Sequence, residues 1–473
     1  MKLTNYLGDK PFWRVALRLA LPVSIQNVLS SSFQLVDTMM VSRLGDVVLS
    51  SVGMAAQWGW LCMLLGFGLC SGMSVFVSQY WGVKDLKGIR RVLGMGLLSS
   101  LVVSFLFMGV ALAAPRWVIG LFNKDPAVIE AGCRYLTIVC FSYPAVALMN
   151  VLSAVLRNTE RVKLPMYVAA ITTVVNAFVD YGLINGAFGM PRMGVAGAAL
   201  ATCISSWLGP ILVLIFSLVE KNILTGPIRE LTRFGLKNFG AFCARALPVM
   251  CNEGLWAMGI LVLNMVYSNM GYEYYAGMTI FKTFSELAFA FYVGMGNACV
   301  IMVGKSIGSG KIKIRRGVED ARRFSVLVPL LGVVIGGLMI LLRHPLVSIF
   351  STGETLSALT LETALAVTVF CSLEVGFRNI SYVQVVGVFR SGGDTLTGMF
   401  FDLGALWLIS IPLTLLAANV LHLPFLGVVM CAYLGEDIPK SLLSIRHFRS
   451  MKWLRPVTPE GQAGLARWRE EKK

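Results

Sequence analysis

Long apolar runs, broken by short polar turns, divide this chain of 473 residues into twelve segments at roughly 13–42, 50–80, 92–114, 128–156, 164–187, 194–219, 243–270, 275–304, 324–343, 357–389, 397–418 and 424–446. About 20 apolar residues cross a bilayer as one helix, so the pattern predicts an all-α polytopic membrane protein with twelve transmembrane helices. Several runs are longer than a bilayer needs and are expected to tilt or project. The stretch from Glu220 to Arg245 is the longest polar connection and marks a boundary between two halves. Its alternation of apolar and basic residues suits an amphipathic helix lying in the interface. The expected organisation is a six-helix bundle over 1–219, a linker over 220–242, a second six-helix bundle over 243–446 and a basic tail over 447–473.

The halves resemble each other. Ala20-Leu21-Pro22 recurs as Ala246-Leu247-Pro248, Gly45 matches Gly271 and Gly82 matches Gly308, all at an offset of 226. Six helices per half give the repeats one orientation, with a pseudo-twofold axis along the membrane normal and a central cleft between the bundles where substrate binds. Pro22 and Pro248, early in equivalent helices, are candidate hinges for alternating access, with a static kink the alternative for each.

Composition agrees with the pattern: 56% of residues are hydrophobic and 14% charged, against about 25% charged in soluble domains. The net charge of +16 could signal nucleic acid, yet its location argues otherwise. Basic clusters such as Lys84, Lys87, Arg90 and Arg91, or Lys311, Lys313, Arg315 and Arg316, occupy alternate loops and the tail, whereas the intervening loops carry little beyond Arg43, Arg116, Lys124, Arg134, Arg192 and Arg343. This positive-inside asymmetry puts both termini in the cytoplasm of a cell-membrane protein and excludes nucleic acid as the partner. The first residues, MKLTNYLGDKPFWR, lack the apolar stretch of a signal peptide. Ten cysteines without a CxxC pair indicate neither a disulfide framework nor a zinc site, and three isolated histidines offer no dyad. No HExxH or Walker pattern occurs, so an enzyme is not expected, nor is any organic cofactor.

The expected chemistry lies in the few charged groups inside the runs. A carboxylate in hydrocarbon costs about 2.5 to 3.5 kcal/mol on lenient scales, and such groups face a wet cavity or a partner. Asp37, Asp180 and Thr202 lie about six, seven and eight residues from the outer ends of spans 1, 5 and 6, and Asn176 precedes Asp180 by four. At about 1.5 Å of rise per residue the four reach one depth. An oxygen-rich level of this kind suits a proton or a hard cation, including Na+. Asn176 and Thr202 could instead bond only the backbone.

In the second half, Glu253 on span 7 is a candidate to meet a cationic substrate or a proton. Lys282 and Glu286 on span 8, and Glu374 and Arg378 on span 10, stand four apart, a spacing that puts opposite charges on one face. They read equally well as self-neutralised structural pairs. Asp402 is a lesser candidate that caps or lines a helix end. Phe33, Met40, Trp58, Tyr143, Trp256 and Tyr292 are candidates for adaptable apolar walls, with core packing the alternative for each.

The stretches ALPVSIQNVLSSSFQLVDTMMVSRLG, LRNTERVKLPMYVAAITTVVNAFVDYGLINGAFGMPRMGVAGAALAT and FRSGGD resemble those of the multidrug and toxic compound extrusion (MATE) family over nearly the whole chain. The resemblance implies a twelve-helix antiporter, working as a monomer in the bilayer, that exports small amphipathic and cationic compounds in exchange for H+ or Na+. It also implies that Asp37, Asn176, Asp180 and Thr202 form the cation or proton site of one subgroup, and that Glu253 is the acidic position of span 7. Some members carry an aspartate early in span 10 where this chain has Glu374 and Arg378, which argues against a sodium site there, and the arginine adds a permanent positive charge. A flippase for lipids or lipid-linked precursors would share the architecture but favour a strongly basic cavity.

Overall fold

The structure, a computed structural model, describes residues 7–42, 46–122, 125–351 and 357–471. Lys2, Arg43, Gly45, Lys124 and Lys473 lie outside the described residues, as does the side chain of Phe33. Among the described residues there is no strand, and twelve helical segments follow the apolar runs: α1 (Lys10–Ser42), α2 (Asp46–Val83), α3 (Leu86–Ala113), α4 (Pro126–Asn158), α5 (Lys163–Asn185), α6 (Val195–Glu220), α7 (Leu236–Asn269), α8 (Tyr272–Gly308), α9 (Lys311–Leu341), α10 (Ala358–Gly392), α11 (Thr395–Asn419) and α12 (Phe425–Arg449). By length and composition, ten of these, from α2 to α11, can cross a membrane. The helix α12 is more polar because Glu436, Asp437 and Lys440 sit in its middle.

Irregularities in the helices have local causes. Pro144 lacks an N–H to continue the ladder, and α4 passes through a 3₁₀ turn at Cys140–Ser142 just before it. Pro412 similarly follows a π segment at Ala405–Ser410 in α11. The connection between the halves forms only a five-residue helix, Ile228–Thr232. Gly226-Pro227 before it and Gly235 after it prevent the longer amphipathic helix expected from composition. Arg90 of α3 holds this connection through Glu230 at 2.7 Å and the carbonyl of Ile223 at 3.2 Å.

The chain forms two compact units, each discontinuous: Ile25–Val77 with Asp85–Met250, and Met1–Ser24 with Ser78–Lys84 and Cys251–Lys473. Small residues explain why the units divide helices rather than loops. In the first unit Gly68 and Gly72 of α2 lie against Met250 and Ala246 of α7, where a Cβ on Gly68 would come within 2.6 Å of the Met250 Cα. In the second, Gly294 of α8 lies against Ser24 and Ala20 of α1, the positions equivalent at the offset of 226. Both packing pairs flank a proline, Pro22 or Pro248, inside its helix. The second unit also contains the close approach of Ser78 and Gly82 to Gly304 and Gly308, a small-xxx-small crossing of α2 with α8. The side chain of Ser309 donates to the carbonyl of Gly82 at 2.9 Å there.

After α12 the chain does not trail away as a basic tail. Trp453 and Leu454 are buried, and α13 (Pro459–Glu470) packs onto α9 and α8. Gln79 of α2 clasps this segment: its amide donates to the Ser391 carbonyl at 2.9 Å, and its oxygen accepts from the Val457 N–H at 2.7 Å.

Candidate functional site

In the first unit, α5 carries Asn176 and Asp180 one turn apart, and both are buried. The carboxyl of Asp180 lies within hydrogen-bonding reach of the carboxyl of Asp37 on α1 and beside the amide of Asn176. Asp37 Oδ1 and both oxygens of Asp180 are buried without a hydrogen-bond partner. A buried acceptor left unsatisfied is costly, and two facing carboxylates cannot both be ionised comfortably at such range. The geometry therefore calls for a proton or a cation between them. Asn176 donates to Ser205 on α6 at 3.3 Å, and the Thr202 hydroxyl donates to the Ala198 carbonyl at 3.0 Å. All four residues singled out in the sequence thus belong to one region of one unit.

Tyr135 also belongs to this region, although nothing in the sequence marks it. It is 4% exposed, sits beside Thr202 and faces both Asp37 and Asp180 electrostatically. Its position on α4, five residues before the 3₁₀ turn, gives no signal in a hydropathy pattern, because a tyrosine reads there as apolar. Tyr135 and Tyr143 belong to a cluster with Val41, Ala55, Ile184 and Ala198 that walls the carboxyls with apolar surface.

The charged groups of the second unit behave differently. Glu253, expected as an unpaired carboxylate, forms an ion pair with Arg390 at 2.7 Å, the two being 137 residues apart in sequence. Tertiary packing brings the end of α10 onto α7, which no local spacing could indicate. Lys282 donates to Asn264 on α7, and Glu286 is exposed. Arg378 lies 5.2 Å from the Tyr433 ring centroid, while Glu374 Oε1 has no hydrogen-bond partner. Lys282 still faces Glu286 and Arg378 still faces Glu374 electrostatically, although neither couple is an ion pair within 4.0 Å among the described residues. Asp402 does not cap a helix end: it receives Lys440 of α12 at 2.9 Å and the Asn252 amide at 3.1 Å. Lys440 also reaches Glu436 at 3.3 Å. Asp437, Glu436 and Lys440 were not singled out in the sequence, although charges inside an apolar run were the signal that could have found them.

Among the aromatic candidates, Trp58 packs against Phe107 with centroids 4.7 Å apart and the rings tilted by 39°, and donates to its carbonyl, Met40 packs on the Tyr135 cluster, and Trp256 packs on a core cluster of the second unit. Tyr143 and Tyr292 are buried, the Tyr292 hydroxyl beside the Asn379 amide. The FRSGGD stretch is structural: Gly393 adopts a φ of 93° and its backbone meets Arg455, and Asp394 caps α11 while receiving His447 at 2.8 Å and Arg455 at 3.0 Å. In the LRNTERVKLP stretch, Asn158 likewise donates to Ser74 at 2.8 Å.

These features define a polytopic all-α membrane protein of twelve long helices that holds carboxyl groups in apolar surroundings. A model of the MatE family matches residues 22–182 and again 248–416, which start 226 apart like the repeat. The chain belongs to the multidrug and toxic compound extrusion (MATE) family and is a transporter, not an enzyme. It is 26% identical over 451 residues, 92% of each chain, to the probable multidrug resistance protein NorM of Thermotoga maritima. With the multidrug resistance protein PmpM of Pseudomonas aeruginosa it shares 26% identity over 403 residues, covering 84% of this chain and 82% of that one. Its fold is that of a mutant form of the Vibrio cholerae MATE transporter VcmN, with a TM-score of 0.82 at 19% identity over 94% of this chain and all of that one.

Proposed function

We propose that this transporter exports small amphipathic, cationic compounds from the cell in exchange for H+ or Na+ by alternating access. The observation that carries the reading is the Asp37–Asp180 carboxyl pair beside Asn176, whose oxygens Asp37 Oδ1, Asp180 Oδ1 and Asp180 Oδ2 are buried with no ion pair among the described residues. Filling that pair with a proton or cation changes its energy by an amount that depends on the bundle conformation. A ligand shifts a conformational equilibrium only through such a difference in affinity. The names of the relatives, multidrug resistance proteins of 26% identity, support the substrate class.

The two six-helix bundles would be 1–219 and 243–446, joined by 220–242 and followed by a cytoplasmic segment from 447. Both termini are assigned to the cytoplasm of the cell membrane on the distribution of basic loops, and the monomer is taken as the working unit. Pro22 and Pro248 are assigned as hinges, since each stands where its helix passes from one compact unit to the other: the divisions fall at Ser24 and Met250. Thr202 and Tyr135 would tune the pair from its edge.

Transport in proteoliposomes with proton and sodium gradients imposed separately tests the reading. Organic-cation movement driven by one gradient, and lost in Asp37→Asn, is expected. Undiminished gradient-driven export by that variant, or movement of lipid rather than organic cations, would overturn it.

A further inference from the structure

We infer that Glu374 of α10 and Asp437 of α12 together form a second proton-binding site, one that holds a single proton between two carboxyl groups within the second unit. Glu374 is 4% exposed and Asp437 1% exposed, deep enough that neither carboxyl is compensated by water at the surface. Their carboxyls lie within hydrogen-bonding reach of each other. Yet Glu374 Oε1 and both oxygens of Asp437 lack a hydrogen-bond donor. Two acceptors that meet without a donor leave one chemical remedy at that spot, a hydrogen between them.

The neighbouring charges select a proton rather than a metal cation. On α10 itself Arg378 faces the pair, and on α12 Glu436 and the Tyr433 hydroxyl do so. Lys440, also on α12, is already engaged by Asp402 at 2.9 Å and Glu436 at 3.3 Å. From α8, Lys282 faces Arg378 and turns its ammonium to Asn264. The elements packed on α10 from its other side, α9 among them, approach through Gly332 and Gly336, which bring no charge. Four acids thus share two bases, Arg378 and Lys440. A sodium ion would sit among fixed guanidinium and ammonium charges, whereas one proton removes the repulsion between Glu374 and Asp437 and leaves Arg378 a single carboxylate to balance.

Glu374→Gln and Asp437→Asn each replace one carboxyl by an amide that can donate to the other, so both imitate the shared proton and are expected to fold. Infrared difference spectroscopy of the purified full chain against pH reads the result directly. In the Asp37→Asn/Asp180→Asn background, which removes the first pair's own band, a protonated-carboxyl C=O band is expected, lost when Glu374→Gln or Asp437→Asn is added, and shifted rather than lost with Glu374→Asp. In that same background, a band unchanged by E374Q and D437N, a band unshifted by E374D, or displacement of the band by Na+ at fixed pH would overturn the inference. None of these outcomes bears on gradient coupling by Asp37, which the transport assay reads separately.

Discussion

Each half of this transporter buries a pair of facing carboxyls, but the surroundings differ. Asp37 and Asp180 meet among tyrosines, Asn176 and aliphatic groups, whereas Glu374 and Asp437 stand in a network with Arg378, Glu436, Lys440 and Asp402. On the proposed reading, a pair with no base beside it among the described residues depends on what enters from solution and would couple to a gradient. A pair beside fixed cations is already partly balanced, so occupancy changes its energy less. Under these proposals the same motif, two acids on neighbouring helices, would serve different ends according to the charges around it.

The largest effect separating the halves is expected in transport. Asp180→Asn should abolish gradient-driven export as Asp37→Asn does, while Glu374→Gln leaves measurable export; equal losses from both halves, measured in the same vesicles, would erase the distinction. Next comes stability. Lys440→Met strips the counter-charge from Asp402 and Glu436, and removing one partner of a buried pair costs about 3–5 kcal/mol. A large fall in thermal stability in detergent is expected, largely restored when Asp402→Asn and Glu436→Gln are added. Asp37→Asn, by contrast, relieves repulsion and should leave thermal stability equal or higher. The smallest effect is assigned to Tyr135→Phe. Loss of one hydroxyl beside the first pair removes about 1 kcal/mol, read as a roughly fivefold weaker coupling-ion affinity in ion-dependent binding of an organic cation. The equivalent deletion beside the second pair, Tyr433→Phe, should leave that affinity unchanged.

Much of the fold is legible along the chain. Hydropathy locates twelve helices to within a few residues for most ends, because each must hide its backbone from lipid independently of its neighbours. The offset of 226 also anticipates packing, since Ala20, Ala246, Gly82 and Gly308 all prove to be close contacts between helices. Asp37, Asn176 and Asp180 are legible for a related reason: a charge or amide in an apolar run is conspicuous, and helical spacing puts two of them on one face. Glu253 shows where this fails. Its neutraliser, Arg390, is 137 residues distant, and an ion pair of that kind leaves no trace in local spacing.

What the sequence by itself determined is therefore the helices, their repeat and the rare charges within them, since these follow from the cost of exposing polar groups to hydrocarbon. Only the tertiary structure decided which charges meet. It paired Glu253 with Arg390, set Glu374 against Asp437, placed Tyr135 at the Asp37–Asp180 pair and divided α1, α2 and α7 between two compact units. The reason is range: burial acts on each residue alone, whereas partnership depends on helices brought together by small-residue packing far apart in the chain.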